Sequence, residues 1–312
     1  MSPQEPDPLG GAVKQSWRRF LDTYEPLRPE LYRYCRHLTR SPWDAEDMAQ
    51  ESLARAFVSL GLLNDAPENP RAWLFRVASN LWLNRTRQAR ELPSAFVGEV
   101  AEPMIEREPR TTREAAGTLI AQLSPQERAA VVLKDAFGLS LVEVAEALST
   151  SSGAIKAALH RGREKLVAPE PEATAAVAPA VLDAFCDAFN ARDLERLTAL
   201  LLDSTILEYP GFKLECGAAA VVHGSLSGTL FGCPDGDHAP PPSARSELRV
   251  HRGETILLWW SGQEVHAVVR VEVVGDRIAR LWNYYHAPEL LGEVCRELGV
   301  PFRTHGYLPD RT

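Results

Sequence analysis

Long apolar runs are missing from this 312-residue chain. No stretch of 18 or more consecutive apolar residues occurs, which excludes a membrane-spanning helix. Metal-type cysteine spacing is missing too. The five cysteines (Cys35, Cys186, Cys216, Cys233, Cys295) are odd in number and far apart, with no CxxC pair and no Cys/His cluster at zinc spacing. That pattern predicts a reduced, cytoplasmic protein with incidental thiols, no metal site and no cofactor. The opening residues, MSPQEPDPLGGAVKQ, have no basic-then-apolar leader, so no export is expected. No internal repeat is visible.

What is present is ordinary globular material: 45% hydrophobic and 24% charged residues, enough for each of two or three domains to bury a core. The formal net charge of −8 is unevenly spread. Residues 1–167 hold 22 Lys+Arg and 22 Asp+Glu, whereas 168–312 hold 12 and 20 and carry the whole excess. Such a split predicts two units with different partners. The basic residues of the first part also cluster, chiefly at 71–90 and 156–165.

Helical spacing of Leu27, Leu31, Tyr34, Cys35 and Leu38 is followed by a break. Ser41 and Pro42 then read as an N-cap and a first-turn proline, with a helix continuing to Gly61. The loop NDAPENP (64–70) precedes a helix over 71–90, and the proline-rich, charged stretch 91–113 reads as a linker. SPQE (124–127) and SLVE (140–143) both fit the capping box, and Gly138 suits a left-handed helix end between them. A short helix over 141–148, the polar turn STSS and a longer helix from about Gly153 to Leu166 make a helix-turn-helix pattern. Beyond an Ala/Pro-rich linker the pattern changes to one helix over 179–202, then strand-like runs at 255–260, 264–274 and 277–286. Helices followed by antiparallel strands predict an α+β domain.

Wound at 100° per residue, the 71–90 helix puts Arg76, Asn80 and Arg87 on one polar arc, flanked by Trp73 and Asn84. Leu74, Val77, Ala78 and Leu81 form the opposite, core-facing stripe. Arginine neutralises phosphate, asparagine can bond a base edge, and an aromatic ring can stack on an unpaired base. A solvated amphipathic helix accounts for the same residues. In the later basic helix, Lys156, His160, Arg161 and Arg163 admit the same two readings; the preceding Ser151 and Ser152 favour phosphate contact there.

Taken together, YRYCRHLTRSPWDAEDMAQESLARAF, NPRAWLFRVASNLWLNRTRQAR and LSPQERAAVVLKDAFGLSLVEVAEALSTSSGAIKAALHRGREKL resemble, in order and spacing, the two conserved domains of an extracytoplasmic-function sigma factor. The resemblance covers roughly residues 15–167 and implies core RNA polymerase and promoter DNA as partners. It implies a polymerase-docking role for Asp44, Asp47, Gln50 and Glu51. It gives Arg76, Asn80, Asn84 and Arg87 the −10 strand. Lys156, His160 and Arg161 would face −35 bases, with Ser151, Ser152 and Arg163 nearer phosphates. His160 departs from the commonest pattern, so no −35 sequence is carried over.

The later stretches VLDAFCDAFNARDLERLTALLLDSTILEYPG and VEVVGDRIARLWNYYHAPELL resemble the SnoaL-like α+β cone, a curved sheet around a pocket. The expected architecture is therefore multidomain: two all-α sigma domains, a helical bundle and a helix-turn-helix, plus a C-terminal α+β SnoaL-like cone. The boundaries are 15–90 and 114–167 for the sigma domains, joined by the linker 91–113. A second linker, 168–178, leads to the cone at 179–295 and a tail at 296–312. The cone reads as a regulatory module restraining the sigma domains by intramolecular contact, with no catalytic residue assigned. The competing reading is an enzyme like the polyketide cyclases of that fold. Trp259, Trp260, His266, Trp282, Tyr284, Tyr285 and His286 are candidate pocket residues, any ligand being unknown, although core packing explains most of them equally well. For the whole chain the alternative is a DNA-binding activator with a ligand-sensing domain, which would have no need of the DAEDMAQES segment.

Overall fold

The computed structural model describes residues 20, 22–60, 67–91, 123–165, 179–232 and 244–307. The chain divides into two compact units, an all-helical one ending with the helix at Lys165 and an α+β one beginning with the helix at Ala180. Both expected linkers apart from Glu91, which ends a helix, residues 64–66 of the expected loop at 64–70, and residues 308–312 lie outside the described residues.

In the helical unit, α1 (Arg28–Thr39) and α2 (Pro42–Leu60) meet at a left-handed Arg40, φ 66°, where α1 stops. Ser41 Oγ accepts from Asp44 N at 3.3 Å, the cap that the sequence predicts. The third helix, α3 (Pro70–Glu91), packs on both. Leu31, Tyr34, Cys35, Leu38, Met48, Leu74 and Ala78 are fully buried among these helices, and the Tyr34 hydroxyl meets Ser79 Oγ at 2.7 Å. A buried ion pair, Arg28 with Glu46, ties the start of α1 to α2.

The next three helices are α4 (Pro125–Val131), α5 (Leu141–Ala147) and α6 (Ser152–Lys165). Both capping boxes form: Ser124 and Glu127 exchange side-chain-to-backbone bonds at the start of α4, and Ser140 and Glu143 at the start of α5. α4 widens into one π-helical turn, Val132–Ala136, before Gly138 takes φ 68°. α6 crosses α4 so closely that a Cβ on Gly162 would lie 2.9 Å from Val131 Cγ2, so any larger residue would force Val131 to shift.

In the second unit the helix expected over 179–202 is instead two helices and the start of a strand. α7 (Ala180–Asn190) ends at Arg192, φ 57°, and Asp193 caps α8 (Leu194–Leu200) through Arg196 N at 3.0 Å. β1 (Leu201–Tyr209) follows without a break. The leucines of LTALLL satisfy both the helical and the extended pattern, so the sequence carries no stop signal between them. β2 (Lys213–Cys216) leads into a helical segment: α9 (Ala218–Val221), a π turn at Val222–Leu226 and α10 (Ser227–Phe231). Then come β3 (Arg245–His251), β4 (Glu254–Ser261), β5 (Glu264–Val274), β6 (Arg277–Asn283) and α11 (Pro288–Leu298).

The six strands form one sheet in the order β2-β1-β6-β5-β4-β3. Every neighbouring pair is antiparallel except β1 and β6, which run parallel and correct the expectation of a purely antiparallel sheet. Phe185, Phe189, Leu197, Val221 and Leu226 pack with Leu257, Trp259, Val269 and Leu281 on one face. The alternate residues Ile256, Leu258 and Val268 are buried as well, and α11 packs on β5, so both faces of the sheet centre are covered. The boundary expected at 295/296 falls inside α11. The residues after it join the sheet, since Val265 N donates to Pro301 O and Arg303 N to Val265 O, each at 2.9 Å.

Candidate functional site: the exposed faces of three helices

On α2, Asp44 and Asp47 are exposed and one turn apart, with the buried Glu46 between them in sequence. Gln50 and Glu51 are only half-exposed because the fold engages them. Gln50 Nε2 donates to Glu46 Oε1 at 2.7 Å, and Glu51 accepts from Arg55 Nε at 2.8 Å and from Arg85 of α3. Burial works to raise the Glu51 carboxyl, but the hydrogen bonds and charges of Arg85 and Arg55 outweigh it and hold it below the ordinary value. Of the four polar positions expected on this helix, two face outward and two brace α2 internally or against α3. Sequence reading missed Arg85, whose only local signal is its place among the arginines of α3.

Along α3, Arg76, Asn80, Asn84 and Arg87 are all exposed, and Arg87 donates to Asn84 Oδ1 at 3.1 Å. The expected core stripe is buried at Leu74, Ala78 and Leu81 and half-buried at Val77, with Phe75 added. Trp73 departs from expectation. It is buried, 5.7 Å from the Tyr24 ring, and is not available as a stacking platform. Asn80 and Asn84 line a groove of about 580 Å³ between α2 and α3, floored by Val77 and Leu81 and edged by Val58, which is 65% exposed.

Ser151 Oγ accepts from Ala154 N at 3.2 Å and caps α6, leaving Ser152 in its first turn. Lys156 and His160 are exposed one turn apart. The two arginines are held by acids of the neighbouring segment: Arg161 Nε reaches Glu127 Oε1 at 3.1 Å, and Arg163 Nε reaches Asp135 Oδ2 at 3.1 Å. Glu127 thereby closes its own capping box with one oxygen and binds Arg161 with the other. The hydrogen bond and charge of Asp135 raise Arg163 further above its already high value. Lys156, His160 and Arg163 share a shallow groove of about 510 Å³ with Lys134, Leu141 and Leu159.

The helical unit also contains contacts that the sequence did not announce. The Phe137 ring, at the turn before α5, sits 5.3 Å from Phe75, 5.8 Å from Tyr34 and 6.4 Å from His37. Arg71 chelates Glu30 at 2.7 and 3.2 Å and donates to Phe137 O at 3.2 Å, while Arg128 donates to Leu38 O at 2.6 Å. The helices expected as two separate domains are therefore packed together.

In the α+β unit the candidate pocket residues separate into two sets. Trp259 stacks on Phe189 at 5.2 Å inside the core, and Trp260 lies under Arg245 at 3.9 Å. Trp282 sits between Arg270 and Arg280, and Tyr284 is buried. His266, Tyr285 and His286, by contrast, form one ring cluster, joined by His305. Nearby, burial raises the Tyr209 phenol to about 12, against hydrogen bonds from Ser225 and Asn283. Among the described residues no group of three His, Cys, Asp or Glu side chains is arranged to hold a metal ion. No helix among them is long and apolar enough to cross a membrane.

Known proteins resemble this chain most clearly in its helical part. The family described as Sigma-70 region 2 matches residues 23–91, and Sigma-70, region 4 matches 113–166. The chain is 31% identical over 236 residues to the ECF RNA polymerase sigma factor SigG of Mycobacterium tuberculosis, covering 64% of this chain and 63% of SigG. It is 30% identical over 162 residues to the ECF RNA polymerase sigma factor SigW of Bacillus subtilis, covering 47% of this chain and 86% of SigW. The crystal structure of the M. tuberculosis extracytoplasmic function sigma factor SigJ matches 84% of this chain and 95% of its own, at 23% identity and a TM-score of 0.34. The chain thus spans just under two thirds of the length of SigG.

Proposed function

The chain belongs to the ECF RNA polymerase sigma factors, and from that premise we propose that it binds core RNA polymerase and directs it to a small set of promoters. α2 docks on the polymerase through Asp44 and Asp47, with Gln50 and Glu51 keeping that face rigid against Glu46, Arg55 and Arg85. α3 holds the melted −10 strand. Arg76 and Arg87 meet phosphates, and Asn80 and Asn84 receive an unstacked base in the groove between α2 and α3. Capturing that base offsets part of the few kcal/mol that each unstacked step costs.

α6 enters the −35 major groove. Lys156 and His160 face base edges, and the capped turn at Ser151 and Ser152 presents backbone N–H groups to phosphate. Arg161 and Arg163 act here as braces for the recognition helix as much as contacts, because Glu127 and Asp135 hold them. The protein acts in the cytoplasm, where its polymerase is. The six-stranded sheet with helices packed on it supports a SnoaL-like assignment for the second unit, which modulates sigma activity and does no chemistry of its own.

The observation that carries this reading is the exposed row Arg76–Asn80–Asn84–Arg87 beside the α2 face that carries Asp44 and Asp47, since an ordinary duplex reader needs neither an open-strand grip nor a polymerase dock. Run-off transcription with purified core polymerase on the promoter upstream of the protein's own gene tests it. Promoter-specific transcripts are expected. Duplex binding without any specificity conferred on core polymerase overturns it in favour of an activator.

A further inference from the structure

After α11 the chain turns back at Gly299, φ 68°, and residues 300–307 run across the end of β5, beyond the point where β6 stops. Phe302 forms a bridge with Val265, and the Val265 and Arg303 amides donate across the junction at 2.9 Å each. The Phe302 ring lies against Gly292 of α11, where a Cβ would come within 3.3 Å of it. Past this anchor, the His305 ring stacks on Tyr285 at 3.8 Å and 13° and stands edge-on to His266 at 6.2 Å. His286 Nδ1 meets Gly306 O at 2.9 Å, and the Tyr307 hydroxyl donates to Glu289.

We propose that residues 300–307 form a proton-operated strap, closed while the His266 imidazole is neutral and lifted when it takes up a proton.

The geometry selects against the charged form. His266 Nε2 is buried and meets no acceptor in the structure. Among the described residues the groups that act on it are Tyr285 from the turn after β6, and His305 and Arg303 from the strap, and no carboxylate pairs with it to stabilise an imidazolium. Two acids on the adjoining elements are engaged with the strap itself: Glu264 of β5 pairs with Arg303 at 3.2 Å, and Glu289 of α11 accepts from Tyr307. His286 is bonded to the strap through Nδ1. Burial, reinforced by His305 and Arg303, lowers the His266 imidazole to about 4.

With the strap lifted, His266 is solvated and returns to the ordinary value of about 6.5. Between those limits the open form binds a proton that the closed form refuses, so opening rises about tenfold per pH unit for this group alone. Above about pH 6.5 the strap gains nothing from opening. Lifting uncovers Tyr285 and His286 next to Phe212, which is already 44% exposed, and so enlarges one aromatic patch on acidification.

Amide hydrogen exchange on the full chain between pH 7.5 and 5, corrected for intrinsic rates, tests this at Val265 and Arg303. Their opening constants are expected to grow about tenfold per unit below pH 6.5, while Leu257 and Val269 in the sheet centre stay protected. In His266→Phe the same amides are expected to lose most of that dependence. A second readout needs no variant: in the wild-type chain the His266 ring resonances should titrate together with strap opening. Unchanged protection at pH 5, an equal pH response in His266→Phe, or parallel loss of protection at Leu257 and Val269 overturns the proposal.

Discussion

Arg76 and Asn80 stand on the solvent side of α3, whose opposite face is locked by Leu74, Phe75 and Ala78. Truncating an exposed side chain usually shifts stability by less than about 0.5 kcal/mol, so loss of function there reads out contact and not folding. Arg76→Ala and Asn80→Ala are each expected to weaken binding of single-stranded −10 DNA several-fold while leaving core polymerase binding intact; fluorescence anisotropy with a labelled oligonucleotide and a polymerase pull-down check the two halves. Equal loss of both would make the helix merely structural. At this scale the sequence was a good guide to which residues are exposed, because one helix period separates the two faces of α3. It was a poor guide to what else those residues bind. Trp73, Gln50, Glu51, Arg161 and Arg163 all found partners within the fold, and only the partners four residues away, Arg55 for Glu51 and Glu46 for Gln50, announced themselves by spacing.

Helix ends decide how the recognition element is presented. The α5 start rests on Ser140, whose Oγ accepts from Glu143 N at 3.2 Å while Glu143 Oε2 accepts from Ser140 N at 2.7 Å. These bonds also hold the Glu143 carboxyl below its ordinary value, the backbone bond from Ser140 contributing most. Ser140→Ala is expected to cost about 1 kcal/mol of helical-unit stability, read from denaturant midpoints, and to weaken −35 duplex binding more than −10 strand capture. The capping boxes and the helix-turn-helix were legible because their chemistry is local, three residues apart. The parallel pairing of β1 with β6 was not, since its partners lie more than seventy residues apart and nothing in LLDSTILEY selects a neighbour.

At the scale of the molecule, the charge split separates a part with no net charge from an acidic one. Removing the residues after about 170 is expected to change run-off output at a fixed promoter, measured against the full chain with core polymerase in excess. Identical output from the two would make the second unit a passenger or an independent enzyme. The packing of Phe137 against Tyr34, Phe75 and His37 places the proposed −10 and −35 readers in one compact helical body.

By itself the sequence determined the order of the helices in the helical unit, several of their caps, the exposed polar row of α3, the family resemblance and the change to an α+β unit. All of these depend on residues a few positions apart or on motif order. Tertiary structure alone decided that the two helical groups pack as one and that β1 enters the sheet beside β6. It also brought His266, Tyr285 and His305 together under a strap that had read as a tail. Each of those outcomes pairs segments far apart in the chain, where burial and shape select the partner and no local pattern records the choice.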